Sequence, residues 1–149
     1  MTHEQHLAQM QKDAELKKRG TAAMGFDQDK TSHHFRLTPT GGTIEVSVND
    51  PSDETSRTLI RTHLKEIAVE FENGQFAKPF VMHGEVPPGA RVMERRKATV
   101  AYAYEDTTGG GLVRITTTDQ QTKNAVHEFL RYQIREHATG DPLTVSNER

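Results

Sequence analysis

Eight histidines in a chain without cysteine are the side chains best suited to chemistry here. Neutral imidazole binds zinc, copper, nickel and iron. The missing cysteines remove disulfides, thiolate nucleophiles, iron–sulfur clusters and cysteine-ligated zinc together. In Ser32-His33-His34-Phe35-Arg36-Leu37, a strand turns His33 to the same face as Phe35 and Leu37 and turns His34 to the opposite face beside Arg36. His63 falls on the apolar stripe of Leu59, Ile60, Leu64, Ile67 and Phe71, and His83 stands on a long connecting stretch. A strand, a helix and a loop together suit a metal site that follows no short motif. The expectation is a transition metal such as zinc or copper, held by His33, His63 and His83 with His34 or Met82 in reserve. The plainer alternative leaves His33 and His63 hydrogen-bonded to each other or to a backbone carbonyl.

Several other patterns come close and fail. His127-Glu128 starts like a zinc-protease helix motif, but Arg131 stands where the second histidine belongs. His83-Gly84-Glu85 before Pro87-Pro88 resembles a zinc deaminase signature, yet the Cys-x-x-Cys that completes it is missing. No Gly-x-Ser-x-Gly elbow occurs. His127, at the edge of its apolar stripe, is expected to be a partly exposed surface residue. His137 lies in a last helical turn, where a cation suits the dipole. Arg91 to Lys97 holds four cations without interleaved aromatics, and it reads as a solvated lead-in to a strand rather than a nucleic-acid platform.

These residues are positioned by a unit that occurs twice. Asp27 to Phe71 and Arg95 to His137 each read as a hairpin followed by a helix. Alternation in 32–37 and 44–48 breaks at Thr38-Pro39-Thr40-Gly41-Gly42, and alternation in 98–104 and 113–116 breaks at Thr108-Gly109-Gly110-Gly111. The glycines read as turn residues that supply positive φ. Asp50 with Pro51, and Thr118 with Gln121, are the expected helix starts; Asn73-Gly74 and Gly140-Asp141-Pro142 are the expected stops. Leu59-Ile60, Leu64 and Ile67-Ala68 align with Ala125-Val126, Leu130 and Gln133-Ile134 at a constant offset of 66 (125 minus 59).

The expected fold is therefore α+β: a two-layer sandwich in which the tandem β-β-α repeat forms a four-stranded antiparallel sheet with two helices on one face. Strands are placed near 32–37, 43–48, 94–105 and 112–117, with helices near 51–72 and 119–138. Residues 1–20 read as an N-terminal helix or flexible segment, 21–142 as a single domain with a loop at 73–93 between repeats, and 143–149 as a frayed tail. A length of 149 residues suffices to bury a core, and the mean hydropathy of -0.76 fits a thin domain with polar ends.

The stretches Met24-Gly25-Phe26-Asp27, His33-His34-Phe35, Gly41-Gly42, Ile60-Arg61-Thr62-His63-Leu64, Pro87-Pro88-Gly89 and His127-Glu128-Phe129-Leu130-Arg131 together resemble a family of small bacterial proteins of uncharacterised function. The resemblance spans about residues 20 to 142. It implies no activity, and it implies that an export signal precedes this region in some similar proteins.

A net charge of -2 and a pI near 6.4 argue against nucleic acid as a partner, and no apolar run suggests a membrane span or signal peptide. The expected location is cytoplasmic, or periplasmic if Met1 is not the natural start. The leading functional expectation is a non-catalytic binding protein, most concretely for a transition metal. Next come a ligand-free interaction module that forms a homodimer through the exposed sheet face, and an enzyme acting on a small molecule between sheet and helices.

Overall fold

The structure, a computed structural model, describes residues 30–76 and 86–146. The expected N-terminal helix, His83 and Met82 lie outside the described residues. Strands β1 (Thr31–Thr38) and β2 (Gly41–Val48) form one hairpin, and β3 (Val100–Asp106) and β4 (Gly110–Thr117) form the other. The helices are α1 (Glu54–Glu72), a short α2 (Ala90–Arg95) and α3 (Gln120–His137). All four strands make one antiparallel sheet in the order β1-β2-β4-β3.

That order decides where the helices go. β2 and β3 are parallel with β4 between them, and a parallel link needs a crossover, so α1 passes over β4. Consequently α1 packs chiefly on β3 and β4, while α3 packs chiefly on β1. Each hairpin is covered by the helix of the other repeat. Both helices press on the face that carries Phe35, Leu37, Val46, Val100, Tyr102, Val113 and Ile115, all buried. Phe71 anchors the core, with its ring centroid 4.5 Å from Phe76, 5.8 Å from Tyr102 and 5.9 Å from Phe129.

A pseudo-twofold axis relates the halves. The hairpins repeat at an offset of 69 (Gly110 minus Gly41) and the helices at 66, because five residues join β2 to α1 and two join β4 to α3. Ile44 and Val113 are equivalent under the hairpin offset and pair with each other across β2 and β4, which puts the axis between them. Strand-end bonds repeat accordingly: Val48 N–H to Gly109 O at 2.9 Å matches Thr117 N–H to Thr40 O at 2.8 Å.

This seam explains the glycines, which do more than form turns. A Cβ on Gly41 would collide with the Ile115 carbonyl, and one on its mate Gly110 with the Val46 carbonyl, itself the mate of Ile115. Gly41 has φ +149°, but Gly109, Gly110 and Gly111 have no positive φ. Close strand approach, rather than turn geometry, requires glycine in the second hairpin.

The helix ends depart from expectation by a few residues. The caps are Asp53, which accepts from Ser56 N–H, and Asp119, which accepts from Thr122 N–H, not Asp50 and Thr118. Asp50 is engaged locally by the Ser52 N–H and hydroxyl at 3.0 and 2.8 Å. At the end of α1, Gly74 at φ +79° bonds back to Phe71 O, and Gln75 bonds to Glu70 O. α3 closes in the same way two residues earlier than expected, with Ala138 rather than Gly140 in the left-handed position at φ +50°.

Two further expectations need correction. Residues 94–99 do not extend the third strand: α2 and a 3₁₀ turn at Lys97–Thr99 occupy them, because Ala90 and Met93 on one helical face are buried against α3. The basic run is partly consumed there, with Arg96 holding Asp119 through Nε at 3.0 Å and a terminal nitrogen at 2.8 Å. Nor do residues 141–146 fray. Residues 141–146 run beside β1, where Val145 forms a parallel bridge with Leu37 and Ser146 N–H donates to Leu37 O at 2.7 Å.

Candidate functional site

The pseudo-twofold axis supplies an internal comparison for each histidine. His127, expected near the surface, is buried, with Nε2 2.9 Å from the Thr38 carbonyl. Its mate Arg61 donates to the carbonyls of Thr107 and Gly110 at 2.8 and 2.9 Å, and Thr107 is the mate of Thr38. Both residues tie a helix to a hairpin turn. His63 is half-buried, with Nδ1 3.7 Å from a Glu66 carboxylate oxygen, and its mate Phe129 is a core residue.

His33 and His137 stack with centroids 5.5 Å apart and planes 9° from parallel; Phe35 lies 5.5 Å from the same His137 ring. Their mates are Tyr102 and Phe71, which meet edge to face in the core. Burial, and secondarily the neighbouring His34, push the His33 imidazole down from 6.5 to about 4. The ring is therefore neutral at pH 7.

His34 is different. It projects from the outer face of β1, as strand alternation predicts, with Nδ1 3.0 Å from Asp141 Oδ1. The second oxygen of Asp141 accepts the Phe35 backbone N–H at 3.0 Å. Burial opposes ionisation of this carboxyl, but bonds from Thr139, Phe35 and His34 outweigh it and hold the pKa below the usual aspartate value. A carboxylate only accepts, so the proton between the two groups belongs to His34 Nδ1 and Nε2 is the ring nitrogen left to meet another molecule. The mates of His34 and Asp141 are Ala103 and Gln75, which reproduce none of this.

Two clefts adjoin at His34. One of about 500 Å³ lies between the outer face of β1–β2 and the C-terminal segment, lined by His34, Phe35, Arg36, Thr43, Glu45, Asp141, Pro142, Thr144 and Ser146. The other, about 390 Å³, is lined by Thr31, Ser32, His33, His34, His137 and Thr139. Thus the site offers an oriented imidazole, a guanidinium, two carboxylates and several hydroxyls within one short stretch of sheet edge.

Of the expected metal set, His83 lies outside the described residues. His33 lies on β1 with its ring stacked on His137 of α3, whereas His63 lies on α1, which packs chiefly on β3 and β4. Among the described residues, His33 and His34 of the expected ligands line one cleft together. Among the described residues, no group of three His, Asp or Glu is placed to hold a metal ion. Among the same residues, no helix is long and apolar enough to cross a membrane. Sequence reasoning missed Asp141, which reads locally as a helix stop and meets His34 only through a contact 107 residues away. Compared with models of protein families, with curated proteins and with solved structures, the chain matches none.

Proposed function

We propose that this chain is a non-catalytic binding protein whose recognition site is the cleft between β1–β2 and residues 141–146. The observation that carries the reading is the His34–Asp141 pair. It departs from the pseudo-symmetry, it serves no core packing on the outer face, and it fixes an imidazole with its free nitrogen available. Arg36 beside it supplies a cation, so the ligand class favoured is a small polar molecule with a hydroxyl or amine for His34 Nε2 and an acidic group for Arg36.

A transition metal is the second reading, favoured by His33, His34 and His137 lining the smaller cleft; they do not converge on one point as placed, so a metal would have to turn at least one ring. Asp141 then acts as the carboxylate that orients a ligating imidazole. Amide shifts of isotope-labelled protein, titrated with small hydroxy and amino acids and separately with zinc chloride, test both. Ligands are expected to move the Phe35, Thr43 and Thr144 amides and to lose that effect in His34→Ala. Zinc at one equivalent is expected to move the His33, His34 and His137 ring resonances. Shifts clustered on β3 or α1 instead would overturn both readings.

A further inference from the structure

We propose that the outer edge of β1 is a docking site for an extended peptide segment of a partner protein that carries a carboxylate at its start, and that residues 141–146 occupy it in cis as a stand-in. The inference rests on the β1 cleft being the binding site and names its partner class, with the carboxylate of the incoming segment taking the place of Asp141 on His34.

The hydrogen-bonding pattern of β1 comes first. Thr38 and Gly41 close a two-residue turn as the innermost pair, so Leu37 and Phe35, one and three residues back, turn their backbone groups away from β2. Such an edge is a template for an added strand. The chain's own C-terminal segment already uses it as one: Ser146 N–H reaches Leu37 O, and Val145 bridges Leu37. At Phe35 the pairing is incomplete, because a side-chain oxygen of Asp141 takes the N–H where a neighbouring strand would offer a carbonyl.

The segment is held by polar contacts at its surface. These include the Asp141 contacts, the Ser146 bond and Arg131 Nε to Leu143 O at 2.8 Å, and Pro142 to Val145 are all exposed. Leu143 and Val145 keep 42% and 41% of their surface in solvent, so their apolar burial is incomplete. The chemistry of an incoming segment is written in the resident one. A carboxylate is met by His34 and the Phe35 N–H, Arg36 lines the same cleft, and a β-branched residue four positions later meets Leu37. Glu45 opposes a second acidic residue on the outer-face side, which confines the acidic preference to the Asp141 position.

The probe is a fluorescent peptide of sequence Gly-Asp-Pro-Leu-Thr-Val-Ser, added to the full chain and to Asp141→Ala/Ser146→Pro, which removes the carboxylate and the N–H that hold the resident segment. Anisotropy is expected to show at least about tenfold tighter binding to the double variant, since vacating an occupied site raises the competent fraction. A peptide with Ala for Asp should bind at least about tenfold weaker, and the amide shifts should centre on Phe35 and Leu37. Equal binding to parent and folded double variant, or indifference to the Asp→Ala change, overturns the proposal. A concentration-dependent dimer of the parent that the double substitution abolishes also overturns it, by making a second copy the occupant. Small acids that bind the cleft while the peptide does not would remove the peptide and leave the cleft.

Discussion

Replacing His33 by Phe should remove a defined part of the chain's sensitivity to acid. The imidazole titrates near 6.5 in the unfolded chain and near 4 in the folded one. Between those values the unfolded state binds a proton that the folded state refuses, so stability falls as pH drops from about 6.5 and the loss is complete below about 4. At about 1.4 kcal/mol per pH unit, that gap corresponds to roughly 3 kcal/mol, an upper bound because the ring is only half-buried. The groups facing it are His34 on its own strand and His137 from α3, and protonating either adds repulsion in the same direction. Phe suits the site, since the mate of His33 is Tyr102 and its neighbours are Phe35 and His137. Urea unfolding of both proteins near pH 7, about 5.5 and about 4.5 should show the variant gaining on the parent at each step down, by about 2 to 3 kcal/mol in total. Parallel pH profiles would refute the assignment of His33 as a half-buried imidazole held neutral by its surroundings.

Other substitutions probe the frame. Ala138→Gly relieves a left-handed conformation that costs an L-residue about 1–2 kcal/mol, less roughly 0.5–1 kcal/mol of chain entropy, and should raise the melting temperature by about 1–4 °C in a calorimetric scan. Gly42→Ala places a methyl 2.5 Å from the Arg36 carbonyl and against the Leu130 side chain, and should cost at least about 2 kcal/mol in denaturant unfolding. His127→Ala leaves the Thr38 carbonyl without its buried donor and opens a cavity, for a loss of roughly 2–4 kcal/mol. His127→Arg should recover most of it in the same assay, because Arg61 already does that work at the equivalent position; no recovery would contradict the equivalence.

The strands, the two long helices and their buried faces were legible in the sequence because each depends on local periodicity. The exchange of helices between hairpins was not. It follows from β4 lying between β2 and β3, a long-range pairing that leaves no trace in either repeat. Asp50 and Asp53 are both competent caps, and only the folded course of the chain decides that Ser52 engages the first and Ser56 the second. α2 escaped notice because six residues show barely one period, although Ala90 and Met93 at that spacing were a usable signal. At the site, parity placed His33 and His34 on opposite faces correctly. It could not supply Asp141 or His137, which arrive from the far end of the chain.

The pseudo-twofold axis turns these local observations into an argument about where function can reside. A requirement imposed by folding must be met twice, once in each half, although the residue type can differ: Arg61 and His127 both hold a turn, and Phe71 with Tyr102 and His137 with His33 both fill the end of a helix–strand interface. Such pairs account for His33, His127 and His137 without any ligand. The His34–Asp141 pair answers no requirement that Ala103 and Gln75 also answer, and it sits on the sheet face that neither helix covers. Its removal should therefore spare the core while changing what the β1 edge can bind. That separation of effects distinguishes it from His33, His127 and His137.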